Sequence, residues 1–182
     1  IRIPFAGRHQ VQNALVAVEA AFAVKEKGFT VTEDDIIKGI SETRFPVRTE
    51  VVCKSPLIII DGAHNTGGIK ALCGTIERLL IGYEIISVFG CLKNKLNEEA
   101  IKLIAGASDI MYIAMPDSTR AADIGEIEKV AGKYCDRVKS CKSLKDAVTD
   151  AKNRASDNSA VIICGSLYLA GEARGIVREL CP

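Results

Sequence analysis

Three short segments carry side chains that could do chemistry, and each directly follows an apolar run. Asp61-Gly62-Ala63-His64-Asn65 follows Leu57-Ile58-Ile59-Ile60. A carboxylate leaving a buried strand can accept hydrogen bonds from the two hydroxyls of a ribose, with Gly62 permitting a tight turn. His64, where a helix should begin, can donate to an anion beside backbone N–H groups aimed the same way. The plainer account is that Asp61 ends the strand and Asn65 caps the helix. Gly165-Ser166-Leu167-Tyr168-Leu169 follows Val161–Cys164. Here Gly165 would admit a ligand close to the backbone, Ser166 offers a hydroxyl, and the next N–H groups could hold a carboxylate. A serine N-cap with a core tyrosine explains the same residues. Gly90-Cys91-Leu92-Lys93-Asn94-Lys95 follows Val88-Phe89 and brings Lys93 and Lys95 to the same edge; solvated loop lysines are the commoner explanation of such a pair.

Two upstream features join them. His9, Gln10 and Asn13 open an alanine-rich helical stretch. The amide of Asn13 carries donor and acceptor and can match an adenine edge, or it serves a capping network. Arg48 could reach a nucleotide phosphate or ribose, although a lone arginine is more often a surface residue.

The elements that must position these residues follow from periodicity. Apolar residues Val11, Leu15, Val18 and Phe22 fit one helical stripe from Gly7 to about Lys27, closed by Gly28. A second helix begins after Thr32, an N-cap residue followed by Glu33, Asp34 and Asp35. Two such helices cannot close a core alone. Beyond Phe45-Pro46-Val47-Arg48 the pattern changes to short apolar runs at 57–60, 85–89, 110–114 and 161–164, with weaker strands at 50–53 and 137–139. Helical patterns at 67–80, 97–106, 123–133, 144–155 and 170–180 separate them. Strands alternating with helices predict an α/β fold with a mostly parallel, doubly wound sheet, whose ligands bind beyond the carboxyl ends of the strands. Strand order is not readable from this pattern.

Composition excludes several partners. The 182 residues are 48% apolar and 26% charged with net charge +1, which nominates neither nucleic acid nor an anionic membrane. Tryptophan is absent and aromatics are 5%, leaving few platforms for stacking bases. No apolar stretch approaches the roughly 20 residues that span a bilayer. Seven cysteines without a C-x-x-C pair, and two histidines, argue for reduced thiols in a cytoplasmic protein and against a bound metal. The start at Ile1, neither a methionine nor a signal peptide, suggests a piece of a longer chain. No phosphate loop, dinucleotide fingerprint or nucleophile elbow occurs.

Taken in order, these segments resemble the folylpolyglutamate synthase/dihydrofolate synthase family of the Mur ligase superfamily. The resemblance rests on Gly7-Arg8-His9-Gln10-Val11-Gln12-Asn13-Ala14, Phe45 through Glu50, Asp61 through Asn65, Gly90 through Lys95, Arg120-Ala121 and Gly165 through Leu169. It implies that residues 1–48 are the helical tail of a central ATPase domain and 49–182 a Rossmann-like carboxyl-terminal domain. It implies a reaction in which MgATP phosphorylates a folate carboxyl group and glutamate attacks the acyl phosphate. The phosphate loop and most metal contacts would lie upstream, so the chain alone should be inactive. By similarity, Asn13 faces adenine, Arg48 the ribose or phosphates and Asp61 the ribose hydroxyls. His64 and Ser166 hold glutamate or the reacting phosphate, and His64 and Lys95 take the catalytic roles. Folate and glutamate are the implied partners of a monomer, with no nucleic acid or membrane.

The chain departs from the family where Phe45-Pro46-Val47-Arg48-Thr49-Glu50 replaces Trp-Pro-Gly-Arg-Phe-Glu, Thr66 replaces proline, and Asn94-Lys95-Leu96 replaces Asp-Lys-Asp. The last change removes two carboxylates. A cell-wall Mur-type ligase and a non-catalytic nucleotide- or amino-acid-binding module are the competing readings.

Overall fold

The computed structural model describes residues 1–95 and 97–181; Leu96, part of the Asn94-Lys95-Leu96 departure, lies outside the described residues. The chain divides into two compact units, Ile1–Pro46 and Val47–Pro182.

The first unit holds helices α1 (Arg8–Glu26) and α2 (Glu33–Glu42). Thr32 and Asp35 close a reciprocal capping box on α2: the Thr32 hydroxyl accepts from the Asp35 N–H, and the Asp35 carboxylate accepts from the Thr32 N–H. Gly28 turns the chain after α1 with φ +92°, a conformation that costs glycine little. The apolar stripe foreseen on α1 is not buried within this unit. Val11, Leu15 and Phe22 are exposed, and Gln10 is the buried residue of α1.

The second unit is built on strands β1 (Glu50–Lys54), β2 (Leu57–Ile60), β3 (Glu84–Phe89), β4 (Ile110–Ile113), β5 (Val138–Ser140) and β6 (Ser159–Cys164). They form one sheet in the order β1-β2-β6-β3-β4-β5. β1 is antiparallel to β2, and the remaining pairs are parallel. Helices α3 (Thr66–Leu79), α4 (Glu98–Gly106), α5 (Ile124–Ala131), α6 (Leu144–Arg154) and α7 (Leu167–Leu180) connect or follow them. The doubly wound α/β expectation is borne out. α7 begins three residues before the expected start at 170 because Ser166 caps it.

Both sheet faces are covered, which is why the strands read as unbroken apolar runs. Ile59, Ile85, Met111, Ile113 and Ile162 pack with Ile69, Leu72, Ile101, Ile104 and Ile127 from α3, α4 and α5. Ile58, Ile60, Ile86, Val88 and Ile163 pack on the opposite face with Leu144, Val148, Leu169 and Val177 from α6 and α7. Each such side chain contributes about 1.5–3 kcal/mol on full burial. Steps from β2 through β5 run in one direction, while the step to β6 runs back. A fixed crossover hand therefore sends α6 to the other face.

Candidate functional site

The return of β6 between β2 and β3 creates the topological switch. The chain leaving β2 enters α3 on one face, and the chain leaving β6 enters α7 on the other. Connections that diverge from neighbouring parallel strands open a crevice at their carboxyl ends. The three segments singled out in the sequence follow β2, β6 and β3, which are neighbours here. Backbone bonds continue past the strands: Asp61 N–H donates to Ile163 O at 2.9 Å, Gly165 N–H to Ala63 O at 2.8 Å, and Gly90 N–H to Cys164 O at 3.4 Å.

Asp61 is buried, and its carboxylate is turned onto its own chain. One oxygen accepts from the Thr49 N–H at 2.8 Å and the Thr49 hydroxyl at 2.9 Å; the other accepts from the Ala63 N–H at 2.8 Å. The donors belong to a turn that needs them. Val47 has φ +56° and Thr49 φ +47°, and L-residues in the left-handed region cost about 1–2 kcal/mol each. Val47 O accepts from the Gly62 N–H at 2.7 Å, and the Val47 N–H donates to Glu50 Oε2 at 2.9 Å. Glu50 is in turn gripped by Arg174 of α7 through contacts of 2.8–3.0 Å. Those bonds hold the Glu50 carboxyl below its ordinary pKa. Arg48 stands exposed on this turn.

Two glycines have reasons other than those expected. Gly62 has no positive φ, so it does not serve a tight turn. A Cβ there would lie 2.3 Å from the end of the Leu167 side chain, so a larger residue would oblige that leucine to move. Gly165 does adopt φ +109°, but its bare side faces Gly90 O and the Phe89 ring, which would lie 2.6 and 2.7 Å from any Cβ at this position. It closes the sheet end on itself rather than admitting a ligand.

His64 is partly exposed, with Nδ1 2.9 Å from Gly62 O. A carbonyl only accepts, so Nδ1 donates in this contact and Nε2 is the ring nitrogen left for a ligand. Asn65 caps α3 by accepting from the Gly68 N–H at 2.8 Å. Ser166 is buried and caps α7, its Oγ accepting from the Tyr168 N–H at 3.2 Å. Tyr168 is not a core residue. It is 59% exposed and accepts from Arg120 Nη2 at 3.1 Å, with the guanidinium 5.6 Å from its ring centre. Lys93 and Lys95 lie exposed on a 3-10 turn, where the Lys93 N–H donates to Arg120 O at 2.9 Å. Asp61, His64, Ser166 and Lys95 thus share the carboxyl edge of the sheet.

Asn13 belongs to the first unit. Its Nδ2 donates to Gln10 Oε1 at 3.0 Å, and Gln10 Nε2 lies 3.0 Å from His9 Nε2. Gln10 and Asn13 line an open pocket of about 150 Å³ with Ile3, Phe5, Ala17 and Ile40.

The donor set does not suit a metal ion. Asp61 already accepts three hydrogen bonds from N–H and O–H donors, and no group of three His, Cys, Asp or Glu among the described residues could hold a metal. Nor is any helix long and apolar enough to cross a membrane among the described residues. Sequence reasoning missed Thr49, Glu50 and Arg174 as parts of this edge. Glu50 and Arg174 are 124 positions apart, and nothing local in the sequence links them.

Comparison with known proteins places this geometry. Residues 47–167 match the family model described as Mur ligase, glutamate ligase domain. The chain is 30% identical over 177 residues to the folylpolyglutamate synthase of Lacticaseibacillus casei. It is 27% identical over 178 residues to the dihydrofolate synthase/folylpolyglutamate synthase of Bacillus subtilis. Each alignment covers 96% of this chain but 40% of the relative, so the chain spans well under half their length. The Mycobacterium tuberculosis folylpolyglutamate synthase complexed with ADP and AMPPCP superposes with a TM-score of 0.87 at 26% identity, covering 97% of this chain and 41% of that one. With the family model matching most of the sheet and its switch-point loops, the chain belongs to the Mur ligase glutamate-ligase domain family.

Proposed function

We propose that this chain is the carboxyl-terminal part of an ATP-dependent folylpolyglutamate synthase that joins glutamate to a folate carboxylate. Residues 1–48 are the helical tail of its ATPase domain and 49–182 its glutamate-ligase domain, in a monomeric cytoplasmic enzyme. The observation that carries the reading is the convergence of the β2, β6 and β3 ends at the switch crevice, in a chain of this family.

ATP supplies the phosphoryl group that activates the folate carboxylate, and the divalent ion it travels with is held by residues upstream of this chain. The chain's own residues position and neutralise. The Asn13 amide, on its open pocket, reads the adenine edge. Arg48 provides fixed charge for phosphate or ribose. Asp61, whose four lone-pair positions are not exhausted by three internal bonds, meets the ribose from its remaining one while rigidifying the Arg48 turn. His64 with Nδ1 pinned offers Nε2 toward the incoming glutamate, Ser166 sets the start of α7 for its carboxylate, and Lys95 brings positive charge to the reacting oxygens.

The test is reconstitution. The complete polypeptide, given MgATP and glutamate, should extend a folate acceptor and leave a UDP-muramoyl acceptor untouched. The 182-residue chain alone should hydrolyse no ATP and bind it more weakly than micromolar. Turnover with the cell-wall acceptor alone would overturn the folate reading, and binding without turnover on either would leave a nucleotide-binding module.

A further inference from the structure

We propose that Glu50 and Arg174 are positioning residues for Arg48, acting through the strained turn that carries it. The inference deepens the nucleotide role given to Arg48 above and rests on it.

Val47 and Thr49 flank Arg48, and both are β-branched residues at positive φ. Such a conformation persists only where its surroundings over-determine it. Three clamps do so here. Asp61 takes both donors of Thr49, Gly62 donates to Val47 O, and Glu50 accepts from the Val47 N–H. The third clamp is the vulnerable one, because a glutamate on an edge strand has rotamers to spare. Arg174 removes that freedom. Its Nε reaches both carboxylate oxygens at 3.0 and 2.9 Å, and its Nη2 adds a contact at 2.8 Å. Both side chains are about three-quarters buried, with exposures of 25% and 24%. Arg174 is itself fixed, since its helix is held on the sheet by Leu169, Ala170, Ala173 and Val177. The same helix starts at Ser166. One rigid element therefore sets the register of both the Arg48 turn and the α7 N-terminus. A planar guanidinium is needed for this grip, and an ammonium cannot reproduce it.

The test uses the complete ligase polypeptide for kinetics and the 182-residue chain for exchange. Arg174→Lys should raise KM for ATP about tenfold with kcat within about twofold and KM for glutamate unchanged. Arg48→Ala should raise the same KM, and the double variant should be no worse than Arg48→Ala alone, because the two act as one unit. In the chain itself, Arg174→Lys should speed amide exchange at Val47 and Thr49 by about tenfold, leaving β3 and β6 amides protected. Arg174→Gln provides a stronger lesion should lysine hold part of the grip, with thermal melts separating local loosening from unfolding. Multiplicative effects in the double variant, or unchanged exchange at Val47 and Thr49 in both Arg174 variants, would overturn the positioning role. An ATP KM unmoved by Arg48→Ala would instead overturn the nucleotide role of Arg48, and this inference with it, whatever exchange does.

Discussion

Thr49 places its backbone N–H and its hydroxyl on one carboxylate oxygen of Asp61, at 2.8 and 2.9 Å. The contact ties the approach to β1 to the end of β2. It gives Asp61 a structural duty beside the proposed ligand role.

Replacing Asp61 with alanine leaves the Thr49 and Ala63 N–H groups without their acceptors. Hydrogen bonds to charged groups contribute about 1.5–3 kcal/mol each and are not additive here, so the second unit should lose about 3 kcal/mol. Urea denaturation measures this directly. A loss below about 1 kcal/mol would mean that water replaces the carboxylate at no cost.

Val47 stands where the family resemblance implies glycine, and its φ of +56° lies in the left-handed region that favours glycine. Val47→Gly and Val47→Ala both remove a half-buried side chain, but only alanine keeps the left-handed penalty. The glycine variant should therefore be the more stable of the two by about 1 kcal/mol in matched denaturation curves. Equal midpoints would remove strain from the account of this turn.

The Glu50–Arg174 pair should give stability a defined pH dependence. Hydrogen bonds from Arg174, opposed by partial burial, hold the Glu50 carboxyl below its ordinary 4.5 in the folded chain. A lowered folded pKa means that the contribution is fully present above the ordinary value and fades as pH falls through the lower folded one. The stability gap between the native sequence and Glu50→Gln should stay constant above about pH 6 and narrow in acid. A gap that widened on acidification would reverse the sign assigned here.

Thiol chemistry should single out Cys181. The other six cysteines are buried, and Cys181 is partly exposed. Burial, with a hydrogen bond to Cys53, pushes its thiol up to about 11, leaving on the order of one ten-thousandth as thiolate at neutral pH. Alkylation of the native chain should be slow, and peptide mapping should find the first label on Cys181. Early labelling of Cys164, whose thiol burial pushes well above its ordinary value, would contradict the packing of β6.

Most of the fold was legible because burial on two faces writes itself as unbroken runs such as Leu57–Ile60 and Val161–Cys164. Capping residues set helix starts, as Asn65 and Ser166 do. Strand order was not legible, since β6 pairs with β3 and β2 across 75 and 103 residues of sequence, through backbone groups that carry no side-chain signature. The site was read as a set of residue types at strand ends, and four of them share one sheet edge. Their internal engagements escaped, because whether Asp61 points at a ligand or at Thr49 depends on the dihedrals of a turn twelve positions away. Gly62 shows the same limit: its neighbour Leu167 comes from the far end of the chain.

The insertion of β6 between β2 and β3 bears on how the polypeptide is made. Domains tend to fold as units while synthesis proceeds from the amino terminus, yet here the strand that joins the two halves of the sheet is the last of the six to emerge. Until Ser159–Cys164 has left the ribosome, β2 and β3 have no neighbour on their facing edges. The nascent chain must therefore carry unpaired strand borders from the emergence of β2 until β6 appears, and the sheet should close only then.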